Sequence, residues 1–293
     1  MLPLLVCGNA NLETVLKLEG DTLPLQGGFF PHALTVNVSG VGANLALTLD
    51  ALGTPVRLLS LGADDVTGRV VRSALGGVQV RFAASSATPQ SLALVRADGS
   101  RTFYRDPKDT LDAPSPSTDF VEQSAGCAAV LMSNVAWTRA LLPLALEASL
   151  PILTDVHDIR DLDNPYDQDY FRAAEVLFLS AEQLEDPEAT LHTLLERFSM
   201  RLIVAGWGAR GALLLERGSA LLHQSAFERP VLSTGGAGDA LFASFAHFHY
   251  SRGHGASTAV RLACAAAALK LGAVGSGEGH PDEATVLLLA QSA

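Results

Sequence analysis

Leu2-Pro3-Leu4-Leu5-Val6-Cys7-Gly8 opens the chain with an unbroken apolar run closed by a glycine. A strand with one wet face alternates apolar and polar residues, whereas a run without alternation is apolar on both faces and belongs inside a parallel sheet covered on each side. Similar runs recur at Val56–Leu61, Ala128–Met132, Pro151–Thr154, Val176–Leu179 and Leu202–Ala205. Between several of them the period changes. Leu45, Thr48, Leu49 and Leu52 follow helical spacing, as do Leu191, Leu194, Leu195 and Phe198, the second set introduced by Asp186-Pro187 as cap and first-turn proline. Strand then helix, repeated, predicts an α/β fold with a doubly wound, mainly parallel sheet.

Two stretches break that rhythm. Residues 12–38 and 88–106 read as shorter alternating strands with the turn pairs Gly20-Asp21, Gly27-Gly28 and Asp98-Gly99. They are expected to form a small antiparallel β layer that projects from the main sheet as a lid, the plainer alternative being an edge hairpin with no part in binding. The chain is expected to be one domain over 1–293 with these segments inserted, and Ala113-Pro114-Ser115-Pro116-Ser117 reads as a loop rather than a domain linker.

Composition excludes several classes. With 293 residues, 48 % of them hydrophobic, there is ample material for a core. The net charge is −11, and Lys17, Lys108 and Lys270 are the only lysines, so no basic stripe exists for a nucleic acid. Cys7, Cys127 and Cys264 lack the spacing of a zinc site or disulfide framework, and no apolar stretch is long enough to span a membrane. The N-terminus lacks the pattern of a secretory signal, so the expected location is cytoplasmic, without nucleic-acid or membrane partners.

Chemistry concentrates in Ser233-Thr234-Gly235-Gly236-Ala237-Gly238-Asp239, which runs into the apolar helical pattern of Leu241, Phe242, Phe245 and Phe248. A glycine loop at a helix N-terminus offers unpaired amides and the positive end of the dipole, a seat for phosphate. Asp239 beside that seat would repel the anion unless it has a proton or a metal to manage, which phosphoryl transfer provides. On its own, Asp239 is equally well explained as a first-turn acid complementing the dipole.

A second cluster, Ser39-Gly40-Val41-Gly42-Ala43-Asn44, again precedes a helix, and Asn44 offers both a donor and an acceptor to a polyol, or else a cap. Asn11 and Glu13 lie just beyond the first strand and can face one pocket if the chain stays extended; taken without their position they are ordinary surface polarity. Gly206-Trp207-Gly208-Ala209-Arg210-Gly211 matches a dinucleotide fingerprint, but Ala212–Gly218 is too short and apolar for the required helix and reads as a return strand. There is no Gly-Lys pair for a phosphate-binding lysine loop, and neither HExxH nor GxSxG occurs.

Gly40-Val41-Gly42-Ala43-Asn44 in front and Thr234-Gly235-Gly236-Ala237-Gly238-Asp239 behind make the chain resemble the ribokinase-like (PfkB-type) carbohydrate kinases. Leu61–Gly68 resembles a further segment of that family, and Arg210-Gly211-Ala212 its nucleotide-side hairpin. The resemblance implies ATP with Mg²⁺ as donor, and transfer of the γ-phosphoryl group to a hydroxymethyl group of a sugar or nucleoside. It implies Asp239 as general base and Gly236, Ala237 and Gly238 as anion hole. Asn11, Glu13, Gly40, Gly42, Asn44 and Arg105 would line the acceptor site. Ser180, Gly208, Gly211, Thr234, Gly236 and Gly238 would face ATP, with Glu182 on the metal through water.

The chain departs from the family at several places. Ser233 stands where an aspartate is usual, which leaves open the monovalent cation used by several relatives. Ser180-Ala181-Glu182-Gln183 replaces N-x-x-E, Cys264 an asparagine near the adenine, and Glu13 an aspartate. Phe103-Tyr104-Arg105-Asp106-Pro107 resembles a fructokinase segment, favouring a hexose or, through Arg105, a sugar acid. A nucleoside stacked on Phe29, Phe30 or Phe103 is the alternative acceptor, and a catalytically silent sugar- or nucleotide-binding regulator the alternative of another class. An exposed lid edge would also let two copies pair as a homodimer.

Overall fold

The computed structural model describes residues 1–292 except 19, 21, 24, 25, 29, 30, 98, 99 and 274, with the side chain of Arg101 also outside the description. Asp21, the pair Asp98-Gly99 and the aromatics Phe29 and Phe30 therefore lie outside the described residues.

In chain order the strands are β1 (Leu4–Cys7), β2 (Asn11–Lys17), β3 (Leu34–Ser39), β4 (Val56–Gly62), β5 (Gln79–Ala84), β6 (Gln90–Val95), β7 (Arg101–Asp106), β8 (Ala129–Ser133), β9 (Ile152–Asp158), β10 (Val176–Ser180), β11 (Leu202–Gly206), β12 (Ala212–Glu216) and β13 (Leu222–Gln224). The helices are α1 (Val41–Ala51), α2 (Val66–Ala74), α3 (Ser117–Ser124), α4 (Ala136–Arg139), α5 (Leu142–Glu147), α6 (Pro165–Ala173), α7 (Pro187–Arg197), α8 (Ala237–Ala246), α9 (Ala256–Lys270) and α10 (Glu283–Gln291).

The large sheet runs β13-β12-β11-β10-β9-β8-β1-β4-β5. β1 is flanked by two parallel neighbours, with Val6 opposite Leu58 on one side and Leu131 on the other. Its unbroken apolar run follows from that position. The two-residue period sends Leu4, Val6, Leu58 and Leu131 to one face, where α1, α8, α9 and α10 bring Leu45, Phe242, Phe245, Val260 and Val286. Leu5, Cys7, Leu59 and Met132 point to the other face, under Phe120, Leu142, Phe171 and Leu191 from α3, α5, α6 and α7. Each such apolar side chain contributes about 1.5–3 kcal/mol by leaving water. The fold is thus the doubly wound α/β architecture expected.

β11 returns antiparallel as β12, with Val204 opposite Leu214, in place of the crossover helix a dinucleotide fold requires. The second sheet, ordered β3-β2-β6-β7, consists of two antiparallel hairpins joined by a parallel β2–β6 pair.

Helix starts follow local chemistry. Asp186 accepts from the Ala189 amide (3.0 Å) and Pro187 opens α7. Asp65, inside the Leu61–Gly68 segment, accepts from the Gly68 amide at the start of α2 (2.6 Å) and, with its other oxygen, from the Thr88 amide (2.9 Å). One carboxylate thereby fastens α2 to the entry of the β6–β7 hairpin of the small sheet, and these hydrogen bonds hold its pKa below the usual carboxylate value. Asp65→Ala is expected to lower stability by about 1–2 kcal/mol, read as a lower urea midpoint with an unchanged slope, and Asp65→Asn to lose less.

Candidate active site

Packing of α1 against α8 brings the two glycine clusters together. Gly236 caps α8 in the left-handed region (φ 78°), and a methyl group there would stand 2.8 Å from the Ser276 carbonyl oxygen. Both facts demand glycine. The turn presents the first amides of α8, which have no partner within the helix, and Ser233 steadies it by accepting from the Gly235 amide (3.1 Å).

Asp239 lies in that first turn, where its Oδ2 accepts a 2.6 Å hydrogen bond from Asn44 Nδ2 of α1. Asn44 therefore does not cap its own helix, and its Oδ1 is buried without a partner among the described residues. Burial raises the Asp239 pKa to about 6, and the Asp155 charge adds to the rise; the Asn44 hydrogen bond and the charges of His157 and Lys270 act against it. A side chain that only complemented the helix dipole would be shifted downward. The rise marks a carboxylate whose partial loss of water outweighs the helix dipole.

Sequence reasoning missed Asp155 and His157, which β9 delivers from its carboxyl end. His157 has φ 58°, uncommon outside glycine, and its backbone N–H donates to Asp155 Oδ1 (2.8 Å). Its Nδ1 lies 3.3 Å from Asp155 Oδ2. The Asp155 charge and that hydrogen bond raise the His157 pKa to about 9 against the effect of burial, with Asp239 and Asp158 adding to the rise. Burial would raise the Asp155 carboxyl, but the pairing with His157 leaves it below its ordinary value. At neutral pH the His157 ring is thus an imidazolium, paired with Asp155 and felt at Asp239. The strand-end rule that flagged Asn11 also covers Asp155-Val156-His157-Asp158 and was the available signal.

In the small sheet, Asn11 and Glu13 share a face of β2. Glu13 is buried and accepts from Ser276 Oγ (3.3 Å), while Asn11 Nδ2 donates to Ser91 Oγ (3.1 Å). Strand register sets Asn37, Glu13, Ser91 and Arg105 in one row across the small sheet. Arg105 is therefore on the same face as Glu13, exposed, with its guanidinium 5.2 Å from the Phe103 ring centre. Gly40 has φ 98°, and a methyl on Gly42 would press within 2.5 Å of the Gly8 carbonyl oxygen, so both shape the entry of α1.

A second group lies at the ends of β10 and β11. Ser180 pairs with Gly206, and the Glu182 carboxylate rests against the α-carbon of Gly208. Gly211 turns against the backbone of residues 224–226 and belongs to the hairpin. Thr234 is exposed in the loop before α8. Leu241 of α8 sits 3.6 Å from where a side chain on Gly206 would begin, which sets this group beside the Asp239 helix. The described residues contain no cluster of three or more His, Cys, Asp or Glu able to enclose a metal by themselves. None of their helices is long and apolar enough to cross a membrane.

The Asp239 carboxyl is expected to titrate near 6 in carbon NMR. His157→Gln should move that titration upward, since it removes a cation that favours the carboxylate. An unmoved titration would show that the two groups are electrically independent.

A family described as pfkB family carbohydrate kinase matches residues 30–283. An acarbose 7(IV)-phosphotransferase of Actinoplanes sp. is 27 % identical over 286 residues, covering 92 % of this chain and 94 % of its own. A microbiome-derived acarbose kinase superposes with a TM-score of 0.90 at 25 % identity, over 99 % of this chain and 98 % of that one. Ribokinase of Arabidopsis thaliana, solved with ribose and ATP, gives 0.85 at 21 % identity over 99 % of both chains.

Proposed function

The chain belongs to the pfkB family of carbohydrate kinases, phosphotransferases with an alcohol acceptor, and from that premise we propose that it moves the γ-phosphoryl group of ATP to a hydroxymethyl group of a sugar. The observation that carries this reading is the 2.6 Å contact of Asp239 with Asn44 at the mouth of α8, which joins the two glycine signatures around one carboxylate.

In the proposed mechanism the acceptor lies between the Asn11, Glu13 and Arg105 face of the small sheet and Asp239. Gly40 and Gly42 let α1 approach closely enough for Asn44 to orient both the base and a sugar hydroxyl. With its pKa near 6, Asp239 is mostly ionised at neutral pH yet basic enough to take the hydroxyl proton as the oxygen attacks. The amides of Gly236, Ala237 and Gly238 stabilise the charge on the transferring group. His157, cationic at neutral pH, adds positive charge on the same side.

The loop suits polyphosphate, because a Cβ added at Gly238 would meet open space, so the main chain can be approached closely at the helix N-terminus. Ser180, Gly208, Thr234, Gly236 and Gly238 would hold the nucleotide, Gly211 would shape its hairpin, and Glu182 would hold Mg²⁺ through water. When bound, MgATP supplies the activated phosphoryl group and neutralises part of its charge. Arg105 favours a hexose or sugar acid, and the similarity to proteins named for acarbose adds larger glycosides to the candidates. The hairpins at 12–38 and 88–106 would close over the acceptor and exclude water. Leu34, Val36 and Tyr104 lie exposed on the outer face of the small sheet, which supports a homodimer formed there.

An ADP-release panel of hexoses, sugar acids, acarbose-like oligosaccharides and nucleosides is expected to give turnover with a sugar. Asp239→Ala should then lose on the order of 10²–10⁴ in kcat while ligands still bind. Unchanged turnover would refute the base assignment, and a best substrate among nucleosides would redirect the acceptor. The rate in wild type should fall below about pH 6, as Asp239 gains its proton, and level off above. Hydrogen exchange in 12–38 and 88–106 should slow with sugar and nucleotide together; identical exchange would argue against closure.

A further inference from the structure

Lys270 closes α9, a helix rich in alanine, and its side chain is wholly buried. A lysine in the last turn of a helix ordinarily reaches into solvent near the negative end of the dipole. Here it runs inward. Its Nζ donates to the Gly275 carbonyl (2.7 Å), and its Cε lies 3.2 Å from where a methyl on Gly236 would stand. The stem therefore passes directly under the loop that caps α8.

The segment that Lys270 grips is the joint between the two halves of the site. The Ser276 carbonyl oxygen approaches Gly236, and its Oγ meets Ser39 Oγ (2.8 Å) and Glu13 (3.3 Å). A methyl on Gly277 would stand 1.8 Å from the Val38 carbonyl oxygen, so this turn lies directly against β3. Residues 275–277 thus touch the anion loop on one side and the acceptor strands on the other. The charge of Lys270 is felt at both Asp239 and His280, whose pKa values it lowers. Desolvating an ammonium costs several kcal/mol, and an apolar side chain of similar length would fill the same space without that cost.

We propose that Lys270 is a positioning residue: its ammonium is a covalently attached monovalent cation that holds the Gly236 loop and the Gly275–Gly277 turn in one register, so that phosphoryl transfer needs no soluble one. The proposal rests on the kinase reading above. The cation draws the Gly275 carbonyl inward, and the stem beneath Gly236 fixes the loop from which the α8 amides would meet the transferring group.

The test measures kcat, KM and thermal midpoint for wild type, Lys270→Met, Lys270→Ala and Lys270→Arg with the best sugar of the panel, in sodium, potassium, ammonium, methylammonium and tetramethylammonium chloride. Wild type should vary by less than about twofold among the salts, and Lys270→Met should lose about 10²-fold in kcat with its midpoint and acceptor KM nearly kept. Lys270→Ala should regain about tenfold in ammonium or methylammonium but nothing in tetramethylammonium, which is too large for the vacated space. Strong activation of wild type by potassium, full activity of Lys270→Met, or losses that follow the midpoint without rescue would each overturn the inference. If Lys270→Ala does not fold, the salt series on wild type and Lys270→Met decide. Wild type without phosphotransfer to any acceptor would overturn the kinase reading and this inference with it, whereas active wild type beside an equally active Lys270→Met overturns this inference alone.

Discussion

The Asn44–Asp239 hydrogen bond is the constraint around which the site is assembled. A half-buried carboxylate beside a helix N-terminus faces two opposed demands, since the dipole favours its charge and loss of water disfavours it. Burial wins, and the result is a carboxyl near 6 rather than 4. Asn44 keeps it from rising further, and to do so α1 must pack close to α8. α1 in turn rests on the end of β1 with Gly42 bare against Gly8, and the turn into α8 holds Gly236 in the left-handed region. These glycines seat the two helices that carry the pair.

Around this bond lie charges of both signs. His157 pairs with Asp155, and the charges of Asp155, His157 and Lys270 are all felt at Asp239, so each of the two carboxylates has a cation within its field. A low-dielectric site holding several phosphate charges gains from fixed positive neighbours that do not reorganise during reaction. The strained backbone of His157 fits that pattern, because strain persists where surrounding contacts over-determine it.

Much of the fold could be read from period and punctuation. Strands buried on both faces betray themselves by lack of alternation, as Leu4–Cys7 does, and Asp186-Pro187 marks the start of α7 because cap and ring act locally. The return strand Ala212–Glu216 was legible for the same reason. What escaped depends on contacts distant in sequence. Nothing local distinguishes Lys270 from a solvated lysine at a helix end, or Ser276 from a loop serine. The parallel β2–β6 pair was likewise invisible, since each hairpin satisfies its own pattern and only the register between them joins the two.

The bond between Ser276 and Glu13 spans 263 positions, and that between Asn44 and Asp239 spans 195. During synthesis the N-terminal two-thirds can collapse around β1, because its neighbours β4 and β8 have by then emerged. The Asn44–Asp239 bond has to wait for α8, whose docking closes a long loop. A polypeptide that stopped before α8 would therefore lack the Asp239 carboxylate and leave the Leu4, Val6, Leu58 and Leu131 face of the sheet without the cover of Phe242, Phe245, Val260 and Val286.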